Sequence, residues 1–213
     1  MHLQCEDQLD LTRCVAPYER ADVVADPYAE VPVLDLAQPC QKVNRFGGGA
    51  GTTHAISPGR YCGGLSMSRN VTLEPGVYIV EGDLDIGSQA NVFGEGVTFY
   101  VRGSGEVSIQ GTPEIRLGAP ASGDYSGMLV FVDRGAPSGR SHTINGSAAS
   151  YFKGAFYARA GHVDYLGNNT TSGGCSQVVS RTIRFTGNSS VGMDCTDAGL
   201  RDIRSPRLIT LVK

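Results

Sequence analysis

The sequence contains no tryptophan, few charged side chains and no long apolar run. Charged residues make up 18% of the 213 residues, against a usual fraction of about 25%. The 18 basic and 21 acidic residues give a net charge of −3, and the basic residues do not cluster. The sequence therefore lacks the basic surface typical of nucleic-acid binding, and we expect no nucleic-acid partner. The most evident apolar run, Met128–Val132, is much shorter than the roughly 20 residues of a membrane-spanning helix and is typical of a core strand.

Helical periodicity is missing as well. No long stretch places apolar residues at positions i, i+3, i+4 and i+7. Glycine is abundant instead, with 29 of 213 residues, which is nearly twice the ordinary usage of about 7%. Because glycine costs about 1 kcal/mol relative to alanine in a helix interior, this composition predicts an all-β chain. The 40% of hydrophobic residues are enough to form one sizeable core.

Short apolar segments recur at intervals near twenty residues, which is the sequence signature of a solenoid. Gly76–Val80 resembles Gly96–Val101 at an offset of 20. Because side chains alternate along a strand, this offset predicts that Val77 and Ile79 face inward and align with Val97 and Phe99. Two further copies follow at longer offsets of 31 and 27, beginning at Gly127 and Gly154.

A second set of segments, apolar–polar–apolar triplets, predicts another face of the same coils: Leu65–Met67, Leu84–Ile86 and Val107–Ile109. Near the end of the chain, Tyr165–Asn169 recurs as Phe185–Ser189 at an offset of 20, which would stack Asn168 on Asn188. We therefore predict a single-stranded parallel β-helix with coils of about 20 residues. The alternative is a β-sandwich, whose turns every 8–12 residues would not produce this register.

The six cysteines include no closely spaced pair, which disfavours a zinc site, and we expect no bound metal. In a coil of about twenty residues, position i+20 lies on the next coil about 4.8 Å away, close enough for a disulfide. Fifteen pairings are possible in principle. Our preferred structural disulfides are Cys5–Cys14, Cys40–Cys62 and Cys175–Cys195.

Residues 1–62 repeat less clearly and are interrupted by prolines and the glycine-rich run Gly47–Gly51. We interpret them as an irregular, disulfide-stapled cap for β-helix coils over residues 63–213, within one domain spanning residues 1–213. Disulfides require an oxidising compartment, so we expect an extracytoplasmic location, in the periplasm or at the cell surface. Met1–Gln4 does not begin a signal peptide, because it has neither a basic nor an apolar region.

Two groups of acidic residues are candidates for a functional site. Asp83 and Asp85 could hold calcium through carboxylate oxygens, although a solvated face explains them more simply. Asp124, Asp133 and Arg134 most nearly resemble the acid–base group of a polysaccharide-cleaving β-helix, but they also fit an ordinary loop entry.

Other motifs of catalysis are not present. The run Gly47–Gly51 lacks the Lys-Ser/Thr of a phosphate-binding loop, and the serines Ser126, Ser141 and Ser147 lack the setting of a nucleophile elbow. The sequence therefore predicts no enzyme, no catalytic residue and no cofactor. The alternative is a carbohydrate-binding or carbohydrate-cleaving β-helix that uses an outward face of Tyr78, Tyr100 and Tyr157, or the two aspartates above.

Ordered cysteine, glycine and proline landmarks resemble the carboxy-terminal region of TadG-like proteins: they lie in Ala25–Cys40, Pro58–Leu65, Leu73–Ile79 and Gly167–Cys175. The resemblance spans roughly residues 25–200. It implies a non-enzymatic, β-rich extracytoplasmic region of an envelope protein associated with bacterial tight-adherence (Flp) pilus assembly. It also implies an amino-terminal membrane helix, which we do not find in this chain. The expected partners are pilus or cell-envelope proteins, with a surface glycan in the alternative reading, and membrane contact only through such a tether.

Overall fold

The computed structural model forms two compact units, residues 1–30 with 202–213 and residues 31–201. It describes residues 25–34, 37–110, 114–147, 150–167, 175–186 and 199–200, and the backbone of strands at 4–5 and 14–15. The first unit contains an antiparallel strand pair, β1 (Gln4–Cys5) and β2 (Cys14–Val15). Within the described ranges, no helix has the length and apolar character needed to cross a bilayer.

The second unit contains the remaining strands. They are β3 (Arg45–Phe46), β4 (Thr53–Ile56), β5 (Gly59–Cys62), β6 (Leu65–Met67), β7 (Asn70–Leu73), β8 (Gly76–Glu81), β9 (Leu84–Ile86), β10 (Val92–Gly94), β11 (Val97–Arg102), β12 (Val107–Gln110), β13 (Ile115–Gly118), β14 (Met128–Val132), β15 (Ser141–Gly146), β16 (Tyr151–Gly167) and β17 (Ser176–Thr186).

These strands stack in parallel on three faces. The first face contains β4, β7, β10, β13 and the start of β16. The second contains β5, β8, β11, β14, the middle of β16 and the start of β17. The third contains β3, β6, β9, β12, β15 and the ends of β16 and β17. The result is a β-solenoid of about 6 turns with coils of about 21 residues, which confirms the predicted fold class.

The triplets of the third face stack as the sequence predicts. Leu65 pairs with Leu84 and Leu84 with Val107, and all three are buried. The polar residues at the triplet centres point away from the core and are partly exposed. Farther along, Tyr165 pairs with Phe185, as the offset of 20 requires, while Asn168 and Asn188 lie outside the described residues. Alternation along short strands therefore builds one side of a continuous core.

On the second face, the predicted register is wrong by one residue. Gly76 pairs with Val97, an offset of 21, so Tyr78 and Val80 lie in the core in place of Val77 and Ile79. A shift of one residue exchanges the two sides of a strand. The two later copies of the repeat, which begin at Gly127 and Gly154, also stack on the second face, since Val130 pairs with Phe156.

The coils begin before residue 63. β3, β4 and β5 lie inside the predicted cap over residues 1–62 and already pair with the strands of the next coil. The predicted disulfide between Cys40 and Cys62 is confirmed, with Cα atoms 5.6 Å apart. Cys5 and Cys14 are partners in the β1–β2 register, but their side chains are not among the described ones, so the predicted disulfide between them stays a prediction. Cys175 is disulfide-bonded, and its predicted partner Cys195 lies outside the described residues.

Candidate functional site

A row of aromatic rings runs along the outer side of the second face. Tyr100 stacks on Phe131 with ring centroids 5.2 Å apart, and Phe131 stacks on Tyr157 at 4.9 Å. The three residues follow one another in the parallel register, which spaces side chains at one strand separation. All three are fully buried, so loops must cover this row.

Asp133, one of the predicted acid–base residues, holds this row in place. Its Oδ2 accepts a hydrogen bond from the Tyr100 hydroxyl at 2.9 Å and lies 3.4 Å from Nε of Arg102. Its Oδ1 accepts the backbone N–H of Gly135 at 2.7 Å. Burial, followed by the bond to Asp133, raises the pKa of Tyr100, which keeps the phenol a donor. Asp133 therefore has a structural role here, and Asp124 is exposed.

Arg134, the third residue of that predicted group, lies over the same rings. Its guanidinium carbon is 5.1 Å from the centroid of Phe131 and 5.9 Å from that of Tyr157, the range of a cation–π contact. On the far side of the row, Tyr125 packs edge-on against Tyr100 with centroids 6.3 Å apart. The row thus carries two side chains with hydrogen-bond donors at its surface.

These two donors bind a segment of the same chain, residues 31–34, which we call the arm. The Tyr125 hydroxyl donates to the carbonyl of Pro32 at 2.8 Å, and Nη1 of Arg134 donates to the carbonyl of Val31 at 3.1 Å. Burial raises the pKa of Tyr125 to about 12, so it remains a donor at neutral pH. Val31 is only 3% exposed, whereas Val33 is 57% exposed.

Tyr78 does not belong to this row, contrary to the outward tyrosine face considered for glycan binding. It points into the core, where its single hydroxyl proton is shared between the carbonyl oxygens of Ile56 and Glu74, each 2.8 Å from the hydroxyl oxygen. Tyr100 and Tyr157 do point outward but are 0% exposed. These three tyrosines are therefore not an open platform for a sugar.

A polar cavity of about 240 Å³ lies at the amino-terminal end of the third face. Its polar side chains come from Asn44, Arg45, Ser66, Asp83 and Asp85. Arg45, Ser66 and Asp85 are register partners on β3, β6 and β9, so they stand side by side on the outer surface. The cavity thus places the two aspartates singled out in the sequence beside a guanidinium, a hydroxyl and an amide.

Each aspartate of the cavity uses part of its hydrogen-bonding capacity locally. Asp83 Oδ1 accepts the backbone N–H of Glu106 at 2.9 Å, and Ser66 Oγ lies 3.4 Å from Asp85 Oδ2. Among the described residues, no group of three or more His, Cys, Asp or Glu side chains is placed to hold a metal ion.

The remaining sequence motifs have local structural contacts. The carbonyl of Gly48, in the glycine-rich run, accepts a hydrogen bond from Nε of Arg69 at 2.7 Å. Ser126 Oγ donates to the carbonyl of Gly199 at 3.3 Å, and Ser147 shares a hydrogen bond with Ser150. Ser141 is a register partner of His162.

Sequence reasoning missed a polar network on the last two coils. His162 Nδ1 lies 2.7 Å from Thr182 Oγ1, its Nε2 lies 3.1 Å from Asp164 Oδ1, and Arg184 Nε donates to the same Asp164 oxygen. The hydrogen bond from Arg184, followed by that from His162, lowers the pKa of Asp164. The sequence contained a signal for this network, because His162 and Thr182 are 20 positions apart, as are Asp164 and Arg184.

A buried histidine was missed as well. His142 is 0% exposed and points into the core, where its Nδ1 accepts the backbone N–H of Val107 at 3.1 Å. Burial has the largest influence on the pKa of His142 and lowers it. The negative charge of Glu106 raises this pKa, whereas the positive charge of Arg140 lowers it. Its inward position follows from the register of β15 with β12, which short sequence repeats did not show.

Comparisons with curated proteins and with solved structures found no match. A family model described as "Domain of unknown function (DUF7305)" matches residues 24–199. This match includes the arm, the aromatic row, the polar cavity and nearly all of the described solenoid. Because it covers most of the sequence, the chain belongs to the DUF7305 family.

Proposed function

We propose that this chain is a non-enzymatic structural or adhesion module of the bacterial cell envelope that acts with Tad/Flp pilus assembly. The observation that carries the proposal is the stack of in-register parallel coils around one continuous core, fastened near its first coil by a disulfide. Each coil is supported by its neighbours, so the surface side chains keep fixed positions. Such a surface suits binding to other envelope proteins.

The use of polar side chains supports a structural role. Asp133, the strongest acid–base candidate in the sequence, is 15% exposed and accepts hydrogen bonds that hold the covered aromatic row. Arg134 binds the arm. Side chains that hold loops in this way are restricted in their geometry, which favours a structural role.

The Cys40–Cys62 disulfide supports an extracytoplasmic location. Disulfides persist in oxidising compartments and are rare in the bacterial cytosol, where thiols are kept reduced. Together with the TadG-like landmarks over residues 25–200, this bond is the basis for expecting pilus or envelope partners.

A deletion in the native bacterium tests the proposal. We expect the protein in extracytoplasmic fractions and accessible to protease added to spheroplasts, and we expect fewer surface Flp pili in the deletion strain. Complementation with wild type or with an Asp124→Ala control should restore the pili, whereas a Cys40→Ser/Cys62→Ser variant should restore fewer. Cytosolic fractionation, or unchanged pilus numbers after deletion, would refute this function.

One observation favours a second candidate function, the binding of a glycan. The polar cavity offers donors on Arg45 and carboxylate acceptors on Asp83 and Asp85 around a volume of about 240 Å³. Adjacent hydroxyls of a sugar can both donate and accept hydrogen bonds, so they match such a mixed lining. Cleavage would need an acid–base pair in addition.

A glycan array with the wild-type chain tests this second function. Binding should be lost in Asp85→Asn and Arg45→Gln variants and retained in Asp124→Ala, which changes an exposed residue elsewhere. An array without any bound glycan removes the candidate. Assays of glycan cleavage should use the same cavity variants, because Asp133→Ala would disturb the fold.

A further inference from the structure

We propose that the polar cavity is one end of a longer site, in which the outer side of the third face binds a neutral, extended polysaccharide along the solenoid axis. The site is a line of register partners that crosses every strand of this face, which we call the polar row: Arg45, Ser66, Asp85, Ser108, Thr143, Asp164 and Arg184. At a strand spacing of about 4.8 Å, the polar row is about 29 Å long. The proposal rests on the second candidate function, glycan binding in the cavity, and adds the class of glycan and its course.

The outer sides of the three faces differ in chemistry. On the second face, the aromatic row is fully buried. On the first face, the corresponding line of register partners includes the apolar residues Ala55 and Phe93. In the polar row, every side chain is polar and at least partly exposed. Among the described strands, the third face is therefore the one whose outer side is open and polar along its whole length.

The polar row continues the cavity without a break. Asp85 lines the cavity, and its register partner on the next strand is Ser108. The short side chain of Ser108 lies between two longer ones on the same side of the strand, Glu106 and Gln110, since residues two apart point the same way. Gln110 Nε2 donates to Ser108 Oγ at 3.2 Å, and Glu106 Oε1 accepts from Nη1 of Arg140 at 3.2 Å. Short side chains between longer ones leave room for a sugar ring above the strands.

The charges of the polar row favour an uncharged ligand. Its two arginines, Arg45 and Arg184, are balanced by Asp85 and Asp164, so the row carries no net charge. The hydrogen bond from Arg184 lowers the pKa of Asp164, which keeps this carboxylate an acceptor. Carboxylates accept, guanidiniums donate and serine or threonine hydroxyls do both, so sugar hydroxyls find partners in either direction. A polyanion would instead be repelled by the two carboxylates.

The spacing of the polar row distinguishes a polysaccharide from a peptide. Neighbouring positions are about 4.8 Å apart, which is close to the advance of about 5 Å per ring in an extended β-1,4-linked glycan. An extended peptide advances about 3.3 Å per residue, so its side chains fall out of step with the row. A glycan of about six rings can therefore meet one strand per ring over the length of about 29 Å. Each added ring gains contacts, which predicts an affinity that increases with chain length.

The test measures binding of neutral oligosaccharides to the full chain by isothermal titration calorimetry. The probes are β-1,4-linked oligomers of glucose and of N-acetylglucosamine, from two to six rings. In at least one series, the hexasaccharide should bind at least tenfold tighter than the disaccharide, with one oligosaccharide per chain. Equal affinities at every length would overturn the polar row and leave the cavity as a glycan site. If neither series binds, the polar row is overturned, and the glycan array decides on the cavity separately.

The class of glycan has its own control. The hexasaccharide of galacturonic acid, an acidic chain of similar length, should bind at least tenfold more weakly than the better neutral hexasaccharide. Tighter binding of this acidic chain would overturn the assignment to a neutral glycan.

Substitutions beyond the cavity locate the site. A Ser108→Ala/Thr143→Val variant removes two hydroxyls of the polar row with little change in size, so it should weaken hexasaccharide binding at least fivefold and leave disaccharide binding unchanged. Thr72→Val, the same change on the outer side of the first face, is the matched control and should alter neither. Equal losses in the two variants would overturn the proposal. Because the length series uses the wild type, the proposal can be refuted even if the double variant does not fold.

Discussion

In the core of this solenoid, the imidazole of His142 accepts a backbone hydrogen bond that a strand carbonyl would ordinarily accept. The backbone N–H of Val107, at the start of β12, donates to Nδ1 of His142 on β15. Accepting that bond requires an unprotonated Nδ1, so the buried ring is neutral. Among the described residues, Nε2 of His142 has no hydrogen-bond partner. The charged groups facing this ring are Glu106 and Arg140, which pair with each other at 3.2 Å.

We predict that His142 makes the fold sensitive to acid. Its folded-state pKa lies below the unfolded value of about 6.5, so the unfolded chain takes up the proton first. The free energy of unfolding should therefore fall as the pH drops below about 6.5, until the pH passes the folded-state pKa. A His142→Gln variant, which keeps an acceptor but cannot titrate, should lose this part of the slope in urea titrations between pH 7.5 and 5. Parallel slopes for both proteins would contradict the prediction.

Asp133 provides a second test at this scale, because its carboxylate satisfies the Tyr100 hydroxyl and the Gly135 N–H. Replacing Asp133 with alanine should reduce the free energy of unfolding by about 1–3 kcal/mol, since the hydroxyl of the buried Tyr100 loses its acceptor. The exposed Asp124→Ala is the control and should change it by less than about 0.5 kcal/mol. Chemical denaturation measures both, and equal values would argue against a structural role for Asp133.

At the scale of the strand and its corner, backbone geometry decides which residue is tolerated. Gly64 joins β5 to β6 with φ of +95°, and a Cβ there would lie 2.7 Å from the carbonyl oxygen of Asp83 on the next coil. Gly103 has a similar φ of +68° but nothing within 4 Å of its Cβ position. Alanine substitutions at these two glycines therefore distinguish the cost of a positive φ from the cost of a steric clash with the next coil.

We predict that Gly64→Ala costs clearly more stability than Gly103→Ala. Both substitutions force a non-glycine residue to a positive φ, at about 1–2 kcal/mol. Only Gly64→Ala also pushes against backbone of the neighbouring coil, so its total loss should exceed that of Gly103→Ala by at least about 1 kcal/mol. Urea denaturation of the two variants gives the comparison, and equal losses would mean that the coils at Gly64 can move apart.

The elements also show what sequence could and could not predict. The third-face triplets were predictable because Leu65, Leu84 and Val107 each begin the same apolar–polar–apolar pattern, although their offsets of 19 and 23 residues differ. The second face failed by one residue because Gly76 and Gly96 match in sequence, whereas Gly76 pairs with Val97. That shift puts Tyr78 in the core and leaves Tyr100 on the outer row. The arm and its two donors were not predictable, since residues 93 and 103 positions apart meet there.

For the whole molecule, the Cys40–Cys62 bond fastens the segment before β3 to the first coil. Cys40 forms a parallel bridge with Arg60, and the Gln41 N–H donates to the Arg60 carbonyl at 2.7 Å. The segment thus covers part of the outer edge of β5, which would otherwise present unpaired backbone groups. Closing a loop of this size also lowers the conformational entropy of the unfolded chain, which stabilises the folded state.

We predict that Cys40→Ser/Cys62→Ser lowers the free energy of unfolding by about 3 kcal/mol, the chain-entropy value for a loop of this length. For a protein of this size, the melting temperature should fall by roughly 6–12 °C. Differential scanning calorimetry of the oxidised variant against oxidised wild type measures the effect. An unchanged melting temperature would show that hydrogen bonds alone hold the segment.

Corner length varies widely between these coils while the ladders stay in register. Stacked residues Ser66 and Asp85 are 19 positions apart, whereas Val107 and His142 meet across 35. Extra residues are thus absorbed between strands without disturbing the packing within them. Evolution can change what this scaffold displays by lengthening or replacing a corner, and an engineer can graft a foreign loop at the exposed residues 137–138, between β14 and β15, where Asp133 and Arg134 are spared.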